Sequence, residues 1–352
     1  MLGERIKAAR AAQGLSQRKL AEMVGVSAQA ISKYERGLDI PSTGVLLKLA
    51  GALGLSVDYF ARPRKVERVN PAWRARRRLR KKDERKITAN VADGLERYLQ
   101  IEEIVFGQAV PEFHWPDIPK RVTSLEETES AAEELRRVWN LGSQPIENLV
   151  ELLEDKGVRI LSLGNLPERF DACAWSADGF PVIAVRSDIP GDRQRLSVAH
   201  ELGHILLEPV GIDAEKACFR FGAAFLVPAE ELRQDLGSNR HSLDLFELHL
   251  LKHKYKVSMQ ALVYRARDLG IISESTARQL FSLFRRRGWH VREPGDQIPP
   301  EEPQRMTRLV LRALAEDTIS RSRAAELLGE PLGSFLEKLS QKHQGFAAFL
   351  PD

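Results

Sequence analysis

The sequence predicts a multidomain, mainly α protein. It reads as an N-terminal all-α helix-turn-helix domain, a central α+β domain with a small sheet, and a C-terminal helical region. Three observations carry this reading. Helix-start signals crowd the stretch from Leu2 to Phe60, two histidines stand at helical spacing within an apolar segment near the middle, and helical apolar patterns fill the last third. The divisions fall at 1–62, 63–121 (basic segment, helical connector and Pro-containing linker), 122–270 and 271–352. At 352 residues and 43% hydrophobic, the chain has room for two or three domains. No stretch approaches a membrane span, and the N-terminus lacks the charged-then-apolar order of a signal peptide. Two cysteines, Cys173 and Cys218, make no disulfide framework. A reducing cytoplasm is the expected compartment.

Leu2 to Phe60 reads as five short helices. Ser16 caps the run Gln17-Arg18-Lys19-Leu20-Ala21-Glu22, and Gly25 breaks it. Ser27 opens Ala28 to Glu35, and Gly37 closes that run. Leu20, Ala21, Val24, Val26, Ile31 and Tyr34 then form the shared core of two helices joined by a tight turn, a helix-turn-helix pattern.

A charge run follows. Between Arg64 and Lys86 stand twelve Lys or Arg against Glu67, Asp83 and Glu84, a net of +9, while the whole chain carries +4. The basic character is therefore local. Charge runs are usually solvated surface, but beside a helix-turn-helix pattern this one suits a phosphate-tracking role. From Asp83 to Val105 the apolar spacing (Ile87, Val91, Leu95, Leu99, Ile101, Ile104) is helical, and Pro111, Pro116 and Pro119 mark the linker beyond.

In the central region, Ile146 to Lys156 reads as a helix. Val158 to Leu163 alternates like a strand, and Phe180 to Val185 reads as another after an Asp178-Gly179 turn. The segment Ser197-Val198-Ala199-His200-Glu201-Leu202-Gly203-His204 then holds a His-Glu-x-x-His motif. Helical residues four apart share a face, so His200 and His204 aim at one metal ion. Glu201 stands beside them, where a carboxylate takes a proton from an attacking water. Hydrolytic zinc wants three protein ligands and an open position. Glu215 to Pro228 reads as a second helix, turned back through Pro209 and Gly211. Alone, Glu215 is a first-turn acid favoured by the helix dipole. Paired with the histidines, it is the candidate third ligand.

Phe246 to Lys254 and Ser258 to Leu269 form a helix pair, and Met306 to Glu316 with Ser320 to Leu328 a further one. Cys218, set among apolar residues, reads as packing. His241, His249 and His253 read as solvated helix residues.

The chain's motifs resemble two families. Leu15-Ser16-Gln17, Leu20-Ala21, Val26-Ser27, Ile31-Ser32-Lys33-Tyr34-Glu35-Arg36-Gly37 and Pro41-Ser42 are similar to the Cro/cI-type (XRE) repressor domain. That resemblance implies double-stranded operator DNA as a partner, a homodimer reading paired half-sites, and Gln17, Gln29, Ser32 and Lys33 as DNA contacts. Gln17 equally fits an ordinary first-turn residue, and Lys33 a solvated charge. Arg193-Gln194-Arg195-Leu196 ahead of the His motif, Glu215 and Phe221 after it, and the closing Val227-Pro228 resemble the ImmA/IrrE family of bacterial metallopeptidases. The family implies a zincin-like fold, Zn2+ bound by His200, His204 and Glu215, and Glu201 as general base. The chain departs from the family at Cys218 and Phe219, which stand where Ala and Asn or Asp are usual. Two functions follow. The first is a DNA-binding regulator whose zinc endopeptidase domain cuts a repressor or partner protein. The second is an antitoxin or repressor of a toxin–antitoxin pair, whose metal domain is non-catalytic and binds a partner.

Overall fold

Serine hydroxyls start the N-terminal helices. The computed structural model describes residues 2–55, 57–61, 79–107, 109–177 and 179–347. After α1 (Leu2–Ala12), Ser16, Ser27 and Ser42 each accept a backbone N–H three residues on. These bonds open α2 (Gln17–Val24), α3 (Ala28–Glu35) and α4 (Thr43–Leu53). Each satisfies a donor that the first helical turn leaves without an internal partner. Gly25, at φ 76°, ends α2 in the left-handed region that a side chain resists. α5 (Val57–Ala61) completes the five helices. Ile6, Leu20, Val24, Ile31, Leu49 and Phe60 are buried among them, while Val26 and Tyr34 pack half-buried at the edge.

α6 (Lys81–Phe106) is the helical connector, and it packs on α1. Arg5 pairs with Glu96, and the Asn90 side-chain amide donates to the Ala12 carbonyl at 3.0 Å. Most of the basic run from Arg64 to Lys86 lies outside the described residues, as does Asp178 of the expected turn. The run's last residues open α6.

Residues Glu112–Pro303 form a second unit with its own core. A two-residue strand β1 (Arg121–Val122) leads into α7 (Leu125–Val138), and α8 (Leu149–Asp155) precedes the sheet. β2 (Arg159–Leu163), β3 (Ala172–Ala177) and β4 (Phe180–Arg186) pair in the order β2-β4-β3. β4 runs parallel to β2, with Ile183 opposite Ile160. It runs antiparallel to β3, with Ile183 opposite Ala174. β4 is therefore the buried central strand, and β3 ends the sheet beside α9 (Gly191–Leu206). A short strand β5 (Glu208–Pro209) pairs with β1 and turns the chain into α10 (Ala214–Leu226).

α10 lies tightly against α9. A Cβ built on Gly222 would sit 2.9 Å from the backbone nitrogen of His200, and one on Gly203 would sit 3.2 Å from the Cα of Cys218. Only glycine permits so close a crossing. α11 (Ala229–Leu236), α12 (Leu245–Tyr255), α13 (Met259–Asp268) and α14 (Glu274–Arg286) follow. Leu248, Leu262, Ala277 and Phe284 join the same core as the sheet and α9. The segment after α14 straps the start of α9. The Gly191 N–H donates to the Ile298 carbonyl, Gln194 exchanges two hydrogen bonds with the Glu301 backbone, and Arg195 pairs with the Glu301 carboxylate. Lys252, fully buried, sits 2.7 Å from Asp192 and 3.0 Å from Glu293. A buried ammonium persists only when compensated in this way.

α15 (Arg305–Ala315), α16 (Arg321–Leu328) and α17 (Leu332–Ala347) return to the first unit. Val310, Ala313, Leu327 and Phe335 pack on Ile101 of α6. Arg323 donates to Gln100 at 2.9 Å, and Arg305 donates to the Tyr98 hydroxyl at 3.0 Å.

Candidate metal centre

The helical spacing places His200 and His204 one turn apart on α9, with Nε2 atoms 3.0 Å from each other. α10 crosses that face. Asp213 accepts the Lys216 N–H and caps α10, which leaves Glu215 in the first turn. The Glu215 carboxylate reaches 3.2 Å from Nε2 of His204 and 3.4 Å from Nε2 of His200. One donor atom from each residue lies within 4.8 Å of the others, and among the described residues this is the group of histidine, cysteine and acidic side chains disposed to hold a metal. Burial raises the Glu215 carboxyl, but the hydrogen bonds and charges of the two histidines outweigh it. They hold the group well below the usual carboxylate range. Two imidazoles and an ionised carboxylate converging on one point suit Zn2+ in donor type and number.

Glu201 follows His200 by one helical step and is partly exposed. It approaches Cys173 of β3. Burial first, and then the Glu201 charge, push the Cys173 thiol well above its usual range. The general-base candidate is therefore near enough to β3 for its charge to reach the Cys173 thiol.

Two further side chains touch the ligands. Sγ of Cys218 lies 3.3 Å from Nδ1 of His204, and the Phe219 ring packs on His200 with centroids 4.1 Å apart. Phe219 also lines a pocket of about 460 Å³, together with Leu125, Leu196, Ala223 and Tyr264, with Lys216 among its polar residues. From the sequence, Cys218 reads as packing and Phe219 as a departure from the resembled family that removes a polar residue near the ligands; neither contact with a histidine is expected there. The signal available was position: both lie within one turn of Glu215 on the same helix.

In the first unit, Gln29, Ser32 and Lys33 occupy positions of α3 that share one helical face, with Gln29 and Lys33 exposed and Ser32 partly so. Gln17 is placed differently. Its amide donates to Glu35 at 2.7 Å, and the same buried carboxylate holds Arg10 at 2.5 and 2.9 Å.

Residues 6–60 match the family model described as helix-turn-helix, and residues 153–267 match that of the IrrE N-terminal-like domain, a peptidase family. The chain carries a helix-turn-helix domain and an IrrE N-terminal-like domain. The IrrE-like segment contains all four of His200, Glu201, His204 and Glu215. Similar curated proteins align over short stretches of the chain. The HTH-type transcriptional regulator YonR of Bacillus subtilis is 40% identical over 60 residues, 17% of this chain and 56% of its own length. ImmR of the same organism, an HTH-type transcriptional regulator, is 36% identical over 69 residues, 20% of this chain and 54% of its own. PuuR of Escherichia coli, likewise an HTH-type transcriptional regulator, is 41% identical over 66 residues, 18% of this chain and 36% of its own. The chain spans about half the length of the first of these relatives or less.

Proposed function

We propose that the protein is a DNA-binding transcriptional regulator of the cytoplasm whose IrrE-like domain is a zinc-dependent endopeptidase acting on a repressor or partner protein. The observation that carries this reading is the convergence of His200, His204 and Glu215 within 4.8 Å, with Glu201 on the same helix. His200, His204 and Glu215 would hold the ion. Zinc bound there supplies Lewis-acid polarisation of a peptide carbonyl and makes water a better nucleophile at neutral pH. Glu201 accepts a proton from water in the cleft and passes it to the departing amine. β3, the edge strand beside Glu201, offers backbone groups to an extended peptide. The pocket beside Phe219 has room for a substrate side chain. In the other unit, α3 enters the major groove of operator DNA with Gln29, Ser32 and Lys33 at the bases. Gln17 holds the helix pair through Glu35 while its remaining polar groups face DNA. A homodimer would read paired half-sites.

A second reading has its own support. Phe219 packs apolar surface on His200 where the resembled family has a polar residue, and the similar proteins are regulators by name. On that reading the metal domain binds a partner, such as a toxin, without cutting it.

Intact-mass analysis of the protein co-expressed with its genomic neighbour separates the two. A cut made by the wild type with zinc, and absent with Glu201→Gln, supports the peptidase. A stable complex with no cut supports the binding module.

A further inference from the structure

His204 has two ring nitrogens, and the fold gives each a partner. Nε2 faces inward, 3.0 Å from Nε2 of His200 and 3.2 Å from Oε1 of Glu215. Nδ1 faces outward and meets Sγ of Cys218 at 3.3 Å, a hydrogen-bond distance for sulfur. Glu215 and Cys218 are three residues apart on α10, so one face of one helix addresses both edges of a single imidazole. The approach is built in. Cys218 is wholly buried, and Gly203 lets its backbone come close, since a Cβ there would meet the Cα and Cβ of Cys218 at 3.2 Å.

An imidazole can bind a metal through either nitrogen, and the hydrogen bond made by the other one decides which. We propose that Cys218 is a positioning residue for the metal centre: its sulfur accepts the Nδ1–H of His204, which fixes the tautomer that leaves Nε2 directed at the ion. The inference rests on the zinc reading above and extends it to a residue outside the ligand set. Sulfur is a weak acceptor, but in a buried site a weak bond counts for more than it does in water. Unlike a carboxylate partner, a thiol orients the ring without bringing a second acidic side chain to the centre.

The test uses the full-length protein, as wild type, Cys218→Ala and Cys218→Ser. Zinc affinity is read by competition with a chromophoric chelator, and the site is probed spectroscopically after cobalt(II) loading. Long-range proton–nitrogen spectra of the zinc form report which nitrogen of His204 carries the proton. Wild type should bind one zinc, with the proton on Nδ1 and no sulfur-to-cobalt charge-transfer band. Cys218→Ala should bind zinc about tenfold more weakly, at the low end of what loss of such a partner costs. Its His204 Nδ1 proton should exchange faster. Cys218→Ser keeps an acceptor at the same place and should recover most of the affinity. Equal affinity and unchanged His204 signals in Cys218→Ala would overturn the proposal while leaving the zinc site standing. A charge-transfer band in wild type would also overturn it, by making Cys218 a ligand. A wild type that binds no zinc would overturn the metal-centre reading and this inference with it. Thermal melts of the three apo proteins separate loss of packing from loss of positioning.

Discussion

Glu201 and Glu215 are both acidic, both near the same histidines, and expected to behave differently. Glu215 lies on the ligand side of the crossing, between the two imidazoles, where their hydrogen bonds keep it ionised. Glu201 lies one step round α9, partly exposed and within electrostatic reach of Cys173 on β3. Glu201→Gln should therefore retain zinc while cleavage falls by roughly 10²- to 10⁴-fold, the range for loss of a general base. Glu215→Gln should lose zinc first, with cleavage falling as a consequence. Metal content after dialysis, set against cleavage rate, distinguishes the two variants. At this scale the sequence was informative wherever chemistry follows local spacing. His200, Glu201 and His204 are legible because a helix fixes their relation. The contacts of Cys218 and Phe219 with those histidines were not legible, because they come from the angle at which a second helix crosses the first.

That crossing is governed by glycine. Gly222 is helical and buried, and an added methyl would meet the His200 backbone nitrogen at 2.9 Å and the Ala199 carbonyl carbon at 3.1 Å. Backbone cannot swing aside as a side-chain tip can. Gly222→Ala should lower stability by about 1–3 kcal/mol despite its better helix propensity, and loosen zinc by tilting α10. Gly51, in α4, is exposed and has nothing within 4 Å of a built Cβ. There the propensity gain is unopposed, and Gly51→Ala should add about 0.5–1 kcal/mol. Denaturant midpoints check both signs.

Element-level burial also sets a pH response in the first unit. Burial, then the charge of Asp93, raise Tyr59 to about 12, against smaller lowering by Arg5. The folded state thus favours the neutral phenol. Its contribution is complete below the unfolded value near pH 10 and is lost as pH rises toward 12. Absorbance titration at 295 nm should show a late-ionising tyrosine that Tyr59→Phe removes. Elements with a capping side chain, as α2, α3 and α10 have, or with apolar periodicity, as in α9, were readable. β3 was not, because Ala-Cys-Ala-Trp-Ser-Ala has little strand propensity and is held by pairing with β4. The strap from Glu293 to Glu301 has no periodicity at all. It is held by Gln194, Arg195 and Lys252, far away in sequence.

For the whole molecule, each proposed function uses residues of one unit alone. The candidate DNA contacts lie in a five-helix domain with its own core, and the metal donors lie in Glu112–Pro303 with another. Sites without shared partners perturb one another little. The chain's charge is also uneven, with +9 between Arg64 and Lys86 against +4 in total. Binding to a DNA fragment from upstream of its own coding sequence should therefore weaken steeply with salt, by about 0.9 in the log–log slope for each phosphate neutralised. Replacing Arg76, Arg77 and Arg78 with Ala should flatten that slope without changing which sequences are preferred. Gln29→Ala should relax preference at one base pair with little change in slope. His200→Ala with His204→Ala should abolish zinc binding yet leave DNA affinity within about twofold of wild type. Fluorescence anisotropy across a salt series measures all three. A DNA affinity that collapsed with the histidine pair would mean that the metal centre helps to set the operator-binding state, and the peptidase and the DNA reader would then have to be treated as one coupled device.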